Sequence, residues 1–427
     1  MKIALISQLF DAIVPPSMNS IGIWTNEISR RLAKDNEVIV YARRGIAPKR
    51  EIGENVTTRY ILSLPNSFLT NLSMRVSRYR NPKKPLFSTT PFHLEYILPI
   101  ALDLRRRGVE IAHLQNYSQF VPVIRAFNPN IKIVLHMRCE WLALLDYDMI
   151  DRRLEKTDLI LGVSNAITEE IRQRFPHHAK KCHTAYTGVD TDVFKPAEPS
   201  ARRMDGRREL LFVGRITPEK GIHILLEAFR KIAGEFPDLH LNLIGSVGLL
   251  ARDRLVGMSD EKKISDLDVY YNGTEYLASL NAIIAPDLLD RVHFVGHIRY
   301  AKTIEYYQNS SILINPSITE PFGRSLIEAN ACGAPIIAAR AGGMVELVQQ
   351  GKNGLLVEPG NVDELAEAIR FMLRNESQRA SMGNEGRKFV VDNFSWDSIK
   401  SRLFELYQDT FSTGSHKEDH LAVHPIH

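Results

Sequence analysis

The chain has 427 residues, 44% hydrophobic and 24% charged, and its 54 Lys and Arg against 50 Asp and Glu leave a formal charge of +4. This length exceeds one ordinary domain and predicts two or more, while the near balance of charge argues against a dedicated nucleic-acid binder. The only cysteines, Cys139, Cys182 and Cys332, have no paired spacing, so neither a disulfide framework nor a zinc cluster is indicated and a reducing, cytoplasmic setting is expected.

In chain order, Ile3-Ala4-Leu5-Ile6 is strand-like and too short for the core of a signal peptide. No apolar run approaches the roughly 18 residues that span a bilayer, so any membrane contact should be peripheral. Trp24, Ile28 and Leu32, at i, i+4 and i+8, mark a helix. Val38 to Ala42, Ile111 to Leu114, Ile131 to His136 and Leu159 to Val163 are short apolar runs of the kind found in buried parallel sheets. Arg75, Arg78, Arg80, Lys83 and Lys84 lie among Leu72, Met74 and Phe87, either as a solvated loop or as a dock for anionic lipid at the inner membrane face.

A polar, Pro-containing stretch from Pro196 to Arg208 is a plausible linker. A second series of strands follows at Leu210 to Val213, Leu241 to Gly245, Val292 to Gly296, Ile312 to Ile314, Pro335 to Ala339 and Gly354 to Val357. Leu225, Ala228, Phe229 and Ile232 mark a helix after the first of them. Residues 246–290 form an excursion longer than ordinary loops, expected to be partly helical and close to the site. The expected division is 1–197, 198–396, a helix over 397–412 packing back on the first domain, and a loose tail over 413–427. Two α/β domains of this kind are expected to bind ligands beyond the carboxyl ends of their strands, across a central cleft.

Two segments carry the chemistry. In Gly214-Arg-Ile-Thr-Pro-Glu-Lys-Gly221, Arg215 and Lys220 flank a turn at a strand end, either as a surface pair beside a helix start or as the charge a diphosphate leaving group would require. In Glu320-Pro-Phe-Gly-Arg-Ser-Leu-Ile-Glu328 two carboxylates bracket a helix start whose first N–H groups, at Phe322, Gly323, Arg324 and Ser325, should face an anion. Were both glutamates helical they would lie roughly 12 Å apart along the axis, too far for a glycosidase acid/base pair. That spacing suits either two solvated glutamates on a strand-turn-helix or a grip on distant hydroxyls of one phosphate-containing ligand. Asp-x-Asp occurs at Asp146/Asp148, Asp190/Asp192 and Asp266/Asp268, and three occurrences in one chain show how little metal-site specificity the pattern has.

With Val292-His-Phe-Val-Gly-His297, Ala341-Gly-Gly-Met-Val-Glu346, Asn353-Gly-Leu-Leu-Val357 and Phe394-Ser-Trp396, these segments strongly resemble the retaining glycosyltransferases of family 4, over nearly the whole chain. The resemblance implies a GT-B fold of two Rossmann-like doubly wound domains, with the acceptor on the N-terminal side and a nucleoside-diphosphate sugar on the C-terminal side. It implies that Glu320 holds the sugar, Glu328 the ribose, and Arg215 and Lys220 the diphosphate, with help from backbone N–H groups at Ser325, Leu326 and Gly22. Phe322 and Gly323 would present N–H groups to the sugar, His297 and Ile298 would lie against the base, and His136 would reach the sugar from the N-terminal domain. His113 is expected to be structural. The loop Met18-Asn-Ser-Ile-Gly22 departs from the Gly-Gly pair of many relatives. No metal or cofactor is expected, a UDP-sugar is the expected donor, and the glycan, lipid or small-molecule acceptor is unassigned. An epimerase or phosphorylase of the same plan, or a silent nucleotide-sugar binding protein, are the alternatives.

Overall fold

The computed structural model describes residues 1–15, 18–44, 52–53, 55–62, 81–198, 206–248, 252, 255–271 and 275–411. The expected tail over 413–427 and the cations Arg75, Arg78 and Arg80 lie outside the described residues. The described residues form two units, Met1–Thr187 together with the helix Trp396–Phe411, and Gly188–Ser395. The division thus falls at Thr187, ahead of the polar stretch at 196–208.

In the first unit β1 (Lys2–Ile6), β2 (Glu37–Arg43), β3 (Val56–Ile61), β4 (Ile111–Gln115), β5 (Lys132–Met137), β6 (Leu159–Gly162) and β7 (Cys182–Thr184) form one parallel sheet in the order β3-β2-β1-β4-β5-β6-β7. Ile3 to Ile6, Val38 to Ala42 and Ile133 to Met137 are buried without alternation, because helices cover both faces of such a sheet. The helix Ser20–Leu32 follows β1 and is capped by Asn19, whose Oδ1 accepts from Gly22 N at 2.8 Å. Trp24, Ile28 and Leu32, the positions that mark it in the sequence, are buried. The C-terminal helix Trp396–Phe411 returns to this unit. It buries Trp396, Ile399, Leu403 and Tyr407, and it pairs Asp397 with Arg31 and Lys400 with Asp35.

The second unit has β8 (Arg208–Val213), β9 (Leu239–Ile244), β10 (Val292–Gly296), β11 (Ile312–Asn315), β12 (Ile336–Ala339) and β13 (Gly354–Val357), all parallel, in the order β10-β9-β8-β11-β12-β13. The helix Ile222–Ile232 buries Leu225, Ala228, Phe229 and Ile232. Within the 246–290 excursion, Ile264, Leu267, Tyr276, Leu280 and Leu288 join the core beside β8 and β9. The described part of this segment is therefore the covering layer of the β9-to-β10 crossover, held by apolar burial at intervals that no single helical period reveals.

Candidate functional site

The site of the second unit is assembled at the carboxyl ends of β8 and β11. After β8 the chain turns through Thr217 to Gly221, where Gly221 has φ of 67° and a Cβ there would lie 2.2 Å from Pro316 O. Only glycine tolerates both the left-handed backbone and that approach. The turn carries Lys220 to the loop after β11, where its Nζ donates to Glu320 Oε2 at 2.7 Å, with side chains 13% and 18% exposed. Glu320 is fixed from the other side: its carbonyl accepts from Gly343 N at 3.0 Å, and a Cβ on Gly342 would lie 2.1 Å from that same oxygen. Burial alone would raise the Glu320 carboxyl. The Lys220 charge and hydrogen bond, with Phe322 N and Arg215, outweigh it and hold the group below its usual range.

Arg215 stands at the edge of the same turn with its side chain 51% exposed, and its Nη2 donates to Glu219 Oε1 at 3.4 Å. Glu219 is buried, accepts from Thr217 Oγ1 at 2.6 Å, and keeps Oε2 buried with no hydrogen-bond partner among the described residues. Arg215 is thus tethered on one side and its charge remains available to a ligand.

The helix expected to open at Phe322 and Gly323 begins at Arg324 and runs to Ala331, with Gly323 as its cap at φ of 101°. Glu320 therefore lies in the preceding turn, and the axial separation expected for two helical glutamates does not apply. Phe322 and Leu326 are buried, Ser325 is partly buried in the first turn, and Phe322 N faces Glu320 Oε1 at 3.5 Å. Glu328, one turn into the helix, is 2% exposed. Its carboxylate accepts from Tyr300 Oη at 2.9 Å and Tyr307 Oη at 2.7 Å, and pairs with Arg324 Nε at 2.8 Å. Arg324 also lies over the Tyr300 ring, 5.0 Å from its centroid. Sequence reading misses Tyr300, Tyr307 and the side-chain contacts of Arg324, of which it takes only the backbone N–H. The seven-residue spacing of the two tyrosines, two helical turns, was the available signal. His297 is exposed and Ile298 partly buried, directly after β10 on the way to Tyr300.

Two expectations for the first unit need correction. Gly22 does not offer a free N–H, because its amide caps against Asn19 Oδ1; its glycine identity answers instead to Ala12 O, which a Cβ would meet at 1.9 Å. His136 does not present its ring to a ligand. It is fully buried, and Nε2 faces Ala185 O at 3.0 Å while Nδ1 faces His113 Nε2 at 3.1 Å. His113 Nδ1 in turn meets Tyr407 Oη at 2.5 Å. A carbonyl only accepts, so His136 Nε2 carries a proton and its Nδ1 must accept from His113 Nε2–H. His113 Nδ1 then accepts from the Tyr407 hydroxyl. Both rings are neutral in this chain, in keeping with burial and the nearby Arg138 charge, which push both pKa values well below the ordinary histidine range.

The Asp-x-Asp carboxylates have local work. Asp146 caps a helix at Met149 N, Asp190 accepts from the amides of Asp192 and Val193, and Asp268 pairs with Arg252.

Two Rossmann-like units with parallel sheets, and a site of this kind at the strand ends of one, define a two-domain GT-B protein. Sucrose-phosphate synthase from Thermosynechococcus elongatus shares this fold with a TM-score of 0.72 at 21% identity, over 97% of this chain and 100% of that one. Anabaena HepE in complex with UDP and glucose shares it with a TM-score of 0.69 at 18% identity, over 96% and 100%. The family model for glycosyl transferases group 1 matches residues 195–389, and that for glycosyltransferase family 4 matches residues 21–193. The chain belongs to the group 1 glycosyltransferases. Spore coat protein SA of Bacillus subtilis (strain 168) is 28% identical over 72% of this chain and 81% of its own length.

Proposed function

We propose that the protein transfers a hexose, with retention of configuration, from a UDP-sugar to an acceptor hydroxyl in glycan or glycolipid synthesis, without a required metal. The observation that carries this reading is the part-buried Lys220–Glu320 pair beside the Arg324–Ala331 helix start. Lys220 holds Glu320 in its charged state, and the two side chains serve different parts of one ligand. On donor binding the pair opens: Lys220 joins Arg215 on the diphosphate, and Glu320 accepts from sugar hydroxyls. Glu328, released from Tyr300, accepts from the ribose. The UDP and glucose held by HepE support the choice of donor.

In the transfer step the bond from the anomeric carbon to the diphosphate oxygen breaks, and its electron pair leaves with the diphosphate. Arg215, Lys220 and the first N–H groups of the helix stabilise that charge as it grows. The acceptor oxygen bonds to the anomeric carbon on the face being vacated and gives its proton to a departing phosphate oxygen. Two cations supply the neutralisation that a divalent ion would otherwise provide. Among the described residues no helix is long and apolar enough to cross a membrane. We place the enzyme in the cytoplasm, meeting any lipid acceptor at the membrane surface.

The test is a donor panel of UDP-, GDP- and ADP-sugars, read by release of nucleoside diphosphate with and without EDTA, and by proton NMR of the product anomer. Release from UDP-sugars, unaffected by EDTA, with retained configuration is expected. An inverted product would overturn the step above, and binding without turnover across acceptors would favour a silent binding protein.

A further inference from the structure

The carboxyl edge of β4 and β5 in the first unit carries a group of hydrogen-bond donors that the protein leaves unused. Gln115 and Trp24 are buried, at 2% and 1% exposure, yet Gln115 Nε2 and Trp24 Nε1 have no hydrogen-bond partner among the described residues, and neither does Arg138 Nη2. The three side chains are neighbours. Arg138 Nε donates to Gln115 Oε1 at 3.1 Å, and the guanidinium lies over the Trp24 ring, 4.5 Å from its centroid. The first contact fixes the Gln115 amide, because turning it over would face two donors at each other. Nε and Nη2 form one edge of the guanidinium fork, so the unused Nη2 lies on the side that faces Gln115.

The backbone around this group is held in an uncommon form. Asn116 has φ of 60°, and its Oδ1 accepts from Arg138 N at 2.6 Å; a left-handed non-glycine residue persists where its surroundings enforce it. No carboxylate pairs with Arg138 among the described residues. The nearest candidate, Asp11, is committed to Gln8 N and Asn19 Nδ2. Burial pushes the guanidinium down to about 9, with only partial relief from Asp11. Arg138 itself is part-buried, so the group borders solvent. Buried polar atoms are almost always paired in native proteins, and here every unused atom is a donor and one side chain is a cation. An oxyanion completes all three.

We propose that Arg138, Gln115 and Trp24 form an oxyanion site on the first unit that holds a phosphate or carboxylate group of the acceptor substrate. The inference rests on the glycosyltransferase reading above and extends it: the acceptor carries an anionic group as well as the hydroxyl that is glycosylated. Arg138 Nη2, Gln115 Nε2 and Trp24 Nε1 supply the N–H groups for the anion's oxygens, and the bond from the guanidinium is charge-assisted.

The test is isothermal titration of the full chain, saturated with UDP so that the donor site is filled, with inorganic phosphate in one arm and malonate in another, at constant ionic strength. The wild type is expected to bind at least one probe, Arg138→Gln at least tenfold more weakly, and Arg138→Lys between the two, while all three bind UDP alike. Absence of binding by the wild type, or equal binding by Arg138→Gln, would overturn the proposal. Should Arg138→Gln fail to fold, Gln115→Ala takes its place with the same expectation. A wild type that binds phosphate but not UDP would keep the oxyanion site and remove the donor reading.

Discussion

Replacing Lys220 with Ala should damage stability and transfer together, and a double-mutant cycle with Glu320→Gln separates the two effects. At 2.7 Å and an effective dielectric near 20, the gross attraction is roughly 6 kcal/mol, most of it offset by the cost of drying both groups. Removing Lys220 leaves a buried carboxylate unpaired and should cost the second unit about 3 kcal/mol. Glu320→Gln alone should cost less, since a lysine stem can carry its charge toward water. The double variant should recover about 1 to 2 kcal/mol of the Lys220→Ala loss. Transfer should not recover: Lys220→Ala should lower turnover by about 100- to 1000-fold in either background. All three tryptophans, Trp24, Trp141 and Trp396, lie in the first unit. Urea unfolding followed by tryptophan fluorescence should therefore stay near wild type, while the far-ultraviolet circular dichroism transition moves. The pair's contribution is present above the usual carboxylate pKa and lost as pH falls through the depressed Glu320 value. An unshifted far-ultraviolet circular dichroism transition for Lys220→Ala would refute the energetic argument, and near-normal turnover would refute the diphosphate role.

Tyr407→Phe should cost the first unit about 1 to 3 kcal/mol in urea unfolding read by tryptophan fluorescence, because His113 Nδ1 loses its donor inside the core. His113 and His136 titrate far lower folded than unfolded, so the unfolded chain takes up their protons first as pH drops below about 6.5, and stability falls by about 1.4 kcal/mol per pH unit for each. Asp11, which burial raises to about 6, works in the opposite direction below that pH; an acid-side loss in the wild type that persists unchanged in His113→Asn would contradict the account. Glu328→Gln should weaken nucleotide binding about tenfold or more in calorimetry, since one oxygen of the ribose grip is lost and Arg324 is left without its counter-charge; unchanged affinity would remove Glu328 from the ribose. Gly342→Ala should lower transfer with little change in nucleotide affinity, because a methyl 2.1 Å from Glu320 O at φ of 50° must displace that loop; normal turnover would show the loop to be yielding.

Much of the fold is legible in the sequence because parallel strands buried on both faces leave uninterrupted apolar runs, and twelve or so residues of helical spacing separate many of them. Glu320, Glu328, Arg215 and Lys220 are legible as types at strand ends. Their pairing is not. Lys220 and Glu320 are 100 positions apart, and Tyr407 reaches His113 across 294, distances over which no local period operates. The sequence places the helix start two residues early because Gly323 can either begin a helix or cap one, and its φ of 101° decides for the cap. The helices within the 246–290 excursion cannot be placed from the sequence because its core residues are divided among several short helical segments, each too brief to show a period of its own.

The same edge of the first sheet explains both the corrected histidine and the unused donors. Gln115 sits opposite His136 in the β4–β5 register. His113 and Gln115 share one face of β4, as side chains two apart on a strand do, and Arg138 follows His136 by the same step. Deeper in the sheet, the histidine pair is consumed by Tyr407 and Ala185, locking the C-terminal helix to the strands. One step outward, the Gln115–Arg138 pair satisfies only half of itself, and Trp24 contacts both layers, its ring 5.1 Å from that of His113 and beneath the Arg138 guanidinium. The family resemblance draws attention to the strand-end histidine, but the donors without partners among the described residues belong to Gln115, Arg138 and Trp24 beside it. A buried neutral chain of fixed tautomers then serves as the rigid floor on which an unpaired cation can be held in place, which is what selective binding of an anion demands.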